Sequence, residues 1–163
     1  MITQDEKKAL LKRLDITLDE AQTALKNVDP LQIIYEETKW RVKDIVAHLV
    51  TWEMEMTRGL YTHRRGGEYL LPGAEDRYTF NEDDFNVNAA HVRYDDTMPH
   101  IYSDWSTARS WLKVLVGAMT PEELEVRFKF PWGSKGTTVE LLHELLAHHD
   151  EHMREILSKQ DQP

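Results

Sequence analysis

Thr137-Thr138-Val139-Glu140-Leu141-Leu142-His143-Glu144-Leu145-Leu146-Ala147-His148-His149-Asp150-Glu151-His152-Met153-Arg154-Glu155-Ile156-Leu157-Ser158 is the stretch from which the fold is read. Its opening, Thr137-Thr138-Val139-Glu140, is a capping-box pattern and marks a helix start. Leu141, Leu145, His148, His152 and Ile156 then recur at steps of four, three, four and four, so they share one helix face. Two of those five are histidines in places where a core would take leucine. Buried imidazoles need partners for their ring nitrogens, or they cost stability.

Three more segments carry the same period. Thr3 to Val28 places Leu10, Leu14, Leu18, Ala21 and Leu25 on one stripe, and Asp29-Pro30 closes it. A second helix begins near Trp40-Arg41, lines up Val42, Ile45, Val46, Leu49, Trp52 and Met56, and ends before Gly66-Gly67. A third starts around Thr97, tolerates Pro99 in its first turn, and carries Ile101, Trp105, Ala108, Leu112, Leu115 and Met119. Residues 66–96 are irregular: Pro72-Gly73 signals a turn, and Asn81-Glu82-Asp83-Asp84 can cap a short helix from Phe85 to Arg93. Thr120-Pro121-Glu122-Glu123 starts a single short turn, while Phe128 to Gly136 reads as a loop or short extended segment. No period-2 strand and no repeat appears. The expectation is all-α: a four-helix bundle with a long connection between helices 2 and 3, one domain over residues 1–163, and a frayed tail at Asp161-Gln162-Pro163.

Composition narrows the function classes. With 20 Lys plus Arg against 29 Asp plus Glu, the net charge of -9 argues against holding a nucleic-acid backbone or a membrane surface by charge. The chain has no cysteine, which excludes disulfides, thiolate metal sites and cysteine nucleophiles. Met1 to Lys8 lacks the apolar core of a signal peptide, and no apolar run nears the roughly 20 residues that span a bilayer. A cytoplasmic protein is expected, with no Gly-x-Ser-x-Gly elbow and no phosphate-cradling glycine loop.

His148 and His152, four apart, can present two nitrogens to one ion. His48, in the second helix between Ala47 and Leu49, borders a face that is otherwise apolar. If the two helices are neighbours, three imidazoles converge and leave a coordination position open. Zinc, nickel, cobalt, iron(II) and manganese are the candidate divalent ions, zinc or nickel foremost. The same histidines also suit a solvated polar face or a hydrogen-bonded core. His149 lies about 100° around the helix from His148 and points to solvent or a neighbouring helix. His143 lies off the face, and His63, His91 and His100 read as surface or loop residues.

Two motifs bear on that choice. Trp40-Arg41-Val42-Lys43-Asp44-Ile45-Val46-Ala47-His48-Leu49-Val50-Thr51-Trp52-Glu53 resembles the second-helix signature of the DinB/YfiT-like superfamily. His148-His149-Asp150-Glu151-His152-Met153-Arg154-Glu155-Ile156 resembles its closing His-x3-His-x2-Gln-Ile. The middle of the chain, with Phe80-Asn81-Glu82 and Asn86 to Tyr94, is more similar to the ClbS/DfsB branch. The resemblance implies a bundle that is often a homodimer and that holds a divalent metal through His48, His148 and His152. It also implies small-molecule chemistry, either thiol transfer with a low-molecular-weight thiol cofactor or hydrolysis. The ClbS resistance proteins lack the histidine triad, so its presence here favours metal chemistry over their hydrolase activity.

Two departures from the family pattern stand out. Arg41 replaces the usual small hydroxyl, so the cap is expected to shift to Thr38 or to use backbone and water. Glu155 stands where glutamine is common, on the face of His152. It can orient that imidazole, act as a catalytic base near the metal, or simply pair with Lys159. Trp52 is a pocket wall or plain core, and the 66–96 segment is long enough to cover a pocket and set specificity. Its Glu82-Asp83-Asp84 run is expected to cap and be solvated. A sequestering module and a metal-free structural dimer remain the alternatives to an enzyme.

Overall fold

The computed structural model describes residues 2–75 and 80–160. The tail Asp161-Gln162-Pro163 and residues 76–79 of the irregular segment lie outside them. Helix α1 (Gln4–Ala24) opens on Thr3, whose hydroxyl accepts from the Glu6 N–H at 3.2 Å while the Glu6 carboxylate accepts from Thr3 N–H. A 3₁₀ turn (Leu25–Asn27) ends it before Pro30. Next come strands β1 (Ile33–Tyr35) and β2 (Trp40–Arg41), then α2 (Val42–Arg64). Helix α3 (Glu82–His91) is capped by Asn81, and α4 (Met98–Gly117) carries its proline in the first turn. A four-residue α5 (Pro121–Leu124) with a Thr120/Glu123 capping box leads to strands β3 (Phe128–Lys129) and β4 (Lys135–Gly136). Helix α6 (Thr138–Gln160) is last.

The chain is therefore mostly helical, as its periodicity requires, but two antiparallel hairpins, β1–β2 and β3–β4, modify the all-α expectation. Strands of two or three residues are too short to show alternation, so their pattern leaves no signal. At the tip of the second hairpin Gly133 has φ +92°, and a Cβ there would sit 2.8 Å from the Ala74 carbonyl oxygen. Glycine is what lets this hairpin close against the 66–75 segment.

Arg41 remains the cap of α2, contrary to the expected shift. Asp44 accepts from the Arg41 N–H at 2.9 Å and from its guanidinium at 2.7 and 2.8 Å. This carboxylate satisfies the donor that a capping hydroxyl usually leaves to N3. Val42 to Val50 are all buried, because α3 covers the outer side of α2 through Ala89 and Ala90. Thr51 Oγ donates to the Ala89 carbonyl at 3.2 Å. The long connection is thus part of the packing: Trp52 contacts Phe85 and Trp132 rings at 4.6 and 5.6 Å, and its Nε1–H donates to Asn86. Trp105 is core, whereas Trp111 is exposed.

The long helices α1, α2, α4 and α6 pack so that α1 and α2 each meet both α4 and α6. Two apolar clusters fill the interior, one around Leu18, Ile45, Leu49, Ile101 and Ile156, the other around Leu14, Met56, Leu60, Leu112 and Leu145. A polar layer divides them. Arg109 of α4 forms a buried ion pair with Glu53 of α2 and donates to Thr17 Oγ at 3.1 Å and to the Leu14 carbonyl of α1. Trp105 Nε1–H donates to Glu53 at 2.9 Å. His149 of α6 lies in the same layer, edge-on to Trp105 at 5.0 Å. No helix among the described residues is long and apolar enough to cross a membrane.

Removing one partner from a buried pair strands a charge, at a cost of about 3–5 kcal/mol. Glu53→Ala is expected to lower urea-denaturation stability by about that much, and an apolar pair, Glu53→Leu with Arg109→Met, to restore most of it. A loss under about 1 kcal/mol for Glu53→Ala would show that the layer does not register the helices.

Candidate metal centre

His48 projects from the second turn of α2, and His148 and His152 from successive turns of α6. The packing of α2 on α6 brings the three rings together. The Nε2 atoms of His48 and His152 each lie 3.0 Å from that of His148. Ring centroids are 4.7 to 5.2 Å apart and steeply inclined, so the nitrogens point inward rather than stacking. All three candidate ligand atoms lie within 4.8 Å of one another. The sequence-derived triad is thus assembled in space.

What surrounds the rings fixes their protons. His152 Nδ1 lies 2.9 Å from the Glu155 carboxylate and 2.8 Å from the Tyr35 hydroxyl, and that hydroxyl itself donates to Glu155. A carboxylate can only accept, so Nδ1 of His152 carries a hydrogen, and in the neutral ring that ligation requires the Nε2 is the lone pair. With neutral rings, His148 Nε2 can then hold a hydrogen for one neighbour or accept one from His48. Only one of the two 3.0 Å contacts can be a hydrogen bond; the other sets lone pair against lone pair or leaves a hydrogen shared. A cation at the centre satisfies all three at once.

Neutrality itself is enforced. Burial, and then the charges of the neighbouring imidazoles, pushes His48 from its ordinary 6.5 to about 2 and His148 to about 4. Glu155 opposes this slightly at His148. Metal ligation requires neutral imidazoles, and His48 and His148 are neutral at physiological pH. Burial and the Glu155 hydrogen bond raise the Tyr35 hydroxyl well above its ordinary range, so it remains a donor. Three imidazoles at metal–nitrogen distances of about 2.0–2.1 Å in a tetrahedron sit about 3.3 Å apart. The two 3.0 Å edges need to open by only a few tenths of an ångström, and all three nitrogens already lie within 4.8 Å of one another, so the residues fit a divalent ion.

The cluster forms the floor of an open pocket of about 850 Å³, walled by Ile34, Tyr35 and Trp40 of the first hairpin and by Glu82, Asp83, Asn86 and Val87 of α3. The acidic run expected only to cap α3 therefore also borders this pocket through Glu82 and Asp83. Trp40 packs 5.3 Å from the His48 ring. Trp52 is buried, 6.3 and 6.4 Å from the His48 and His148 rings, and lines a smaller recess beside His148. Glu155 meets His152 and Tyr35, and it does so on the ring nitrogen remote from the cluster.

The other histidines divide as their positions dictate. His149 faces the neighbouring helix, 2% exposed with both ring nitrogens unpartnered, and burial followed by Arg109 lowers it to about 3. His91, His100 and His143 are exposed. His63 is not a free surface residue: it stacks on Phe128 at 4.4 Å. Tyr35 was not legible as a site residue, since it reaches the site through a three-residue strand with no periodic signal. Glu53, near His48 in sequence, points instead into the core with Arg109.

The chain is mostly helical, with one candidate ligand on an early helix and a His-x3-His pair on its last. The sequence model of the DinB superfamily matches residues 6–157, and the chain belongs to that superfamily. The fold is also that of an uncharacterized protein from Clostridium difficile 630, at TM-score 0.72 and 13% identity over 98% of both chains. No match is found among curated proteins.

The depressed imidazoles have a stability consequence. Below 6.5 the unfolded chain takes up protons that folded His48 and His148 refuse, so stability falls as pH falls from about 6.5 toward about 4. Metal-free protein is expected to lose several kcal/mol, up to about 6, more across that window than the variant His48→Leu with His148→Leu. Identical pH slopes by denaturant titration would contradict the assignment.

Proposed function

We propose that the chain is a single-domain, divalent-metal-binding protein of the four-helix-bundle type that acts as a metal-dependent enzyme on a small molecule. One observation carries this reading: Glu155 and Tyr35 hold a hydrogen of His152 on Nδ1, and with neutral rings the three clustered Nε2 atoms are a hydrogen short of bonding one another. His48, His148 and His152 are the ligands, and zinc or nickel suits an imidazole-only set best. When bound, such an ion supplies a Lewis acid that lowers the pKa of a water, holds a thiolate or polarises a carbonyl.

The protein's own groups have separate parts. Glu155 accepts the Nδ1–H of His152, sets the ring's direction and raises its basicity, with Tyr35 holding the carboxylate in turn. Of the roles open to Glu155, orienting the ligand is the one its geometry supports. Trp40 and Ile34 keep one side of the pocket apolar, while its open side admits a small molecule. Hydrolysis and thiol transfer are the reaction classes this arrangement serves.

Elemental analysis of tag-free protein, purified without chelator, tests the reading. About one equivalent of transition metal is expected, absent from His48→Ala, His148→Ala and His152→Ala. Glu155→Gln and Tyr35→Phe are expected to retain the site but weaken metal affinity by about 10–100-fold. A parent with no metal and no uptake of zinc or nickel would refute it.

A further inference from the structure

The pocket above the histidines has an uneven charge. Among the described residues, five carboxylates line it, Glu36, Glu37, Glu82, Asp83 and Glu151, against one ammonium, Lys159. Glu36 is already engaged by Lys39 at 2.8 Å. Glu37, Glu82, Asp83 and Glu151 have no ion-pair partner among the described residues. These four arise from three separate places, the β1–β2 turn, the first turn of α3 and the middle of α6, and all face one opening. On the floor is the triad, including His48, 3% exposed and with its Nδ1 unpartnered. Trp40 stands at the wall, an aromatic face suited to an organic cation.

We propose that the ligand of this pocket is an organic cation: a molecule with an apolar body, an ammonium or similar charge directed to the rim, and a metal-binding donor atom at its other end. This rests on the metal reading above and refines it. The two ends are held by opposite charges, because the floor attracts an electron-rich donor while the rim attracts a positive group. Low-dielectric walls between them keep the fields from being averaged away by water. An anionic ligand, acidic thiols included, meets on entry four carboxylates that have no ion-pair partner among the described residues and is disfavoured.

The test uses zinc-loaded protein and three short-chain alkyl hydroxamates that differ only in the terminal group, ammonium, methyl or carboxylate. Hydroxamate supplies the same donor end throughout, so calorimetric affinities read the rim alone. The ammonium form is expected to bind at least about tenfold tighter than the methyl form, and the carboxylate form weakest of all. That order collapses at high ionic strength and in the variant Glu37→Gln, Glu82→Gln, Asp83→Asn, Glu151→Gln. The smaller variant Glu37→Gln with Glu151→Gln leaves the first turn of α3 intact and is expected to lose part of the preference. Equal affinities, a tighter carboxylate form, no binding of any form, or a preference that survives neutralisation would each overturn the proposal. Zinc content measured beforehand separates the two readings. Protein that takes up no zinc refutes the metal centre, whereas zinc-loaded protein without charge preference refutes the ligand class alone.

Discussion

Three imidazole nitrogens, those of His48 and His152 each 3.0 Å from that of His148, with too few hydrogens among neutral rings to bond one another, are the constraint to which the rest of the structure answers. Holding them there demands that α2 and α6 keep a fixed register over several turns. The buried layer of Glu53, Arg109, Thr17 and Trp105 fixes α2 against α4 and α1, since a hydrogen-bonded ion pair tolerates sliding far less than an apolar interface does, and α6 packs on that layer through the His149 ring. His149 continues that layer from α6, one residue from a member of the triad. The same helix therefore presents one histidine to the core network and its neighbour to the pocket.

The first hairpin does a second job. Its strands bury Ile34 in the core and also carry Tyr35 to His152 and Trp40 to His48. Arg41 and Asp44 anchor the hairpin to the start of α2, so the groups that orient the rings are tied to the helix that bears one of them. Helix α3 closes the other side and brings Glu82 and Asp83 to the opening. Much of the orientation, access and charge is thus set by two segments outside the four long helices, the first hairpin and α3, together with Glu151 and Glu155 of α6.

Much of this was written in the chain. The four long helices follow from runs such as Leu10-Leu14-Leu18 and Leu141-Leu145, because a 3.6-residue period leaves a visible stripe. His48, His148 and His152 were legible because each breaks an apolar face, and the DinB resemblance joined them across a hundred residues. Tyr35 was not legible: a tyrosine in a three-residue strand is marked only by what it touches. Arg109 was hidden for another reason. It continues the stripe of α4 between Trp105 and Leu112, where a charged residue reads as an edge until Glu53 is seen opposite it. The rim carboxylates looked like ordinary solvated acids, since their convergence depends on how the turn, α3 and α6 meet.

Crystals grown with zinc, with an anomalous difference map collected at the zinc edge, put the central claim to the most direct test. The account predicts a single strong peak about 2.0–2.1 Å from Nε2 of His48, His148 and His152 alike, with His152 Nδ1 still directed at Glu155. A map with no peak between the rings, or with zinc held by the rim carboxylates while the imidazoles stay apart, would contradict it.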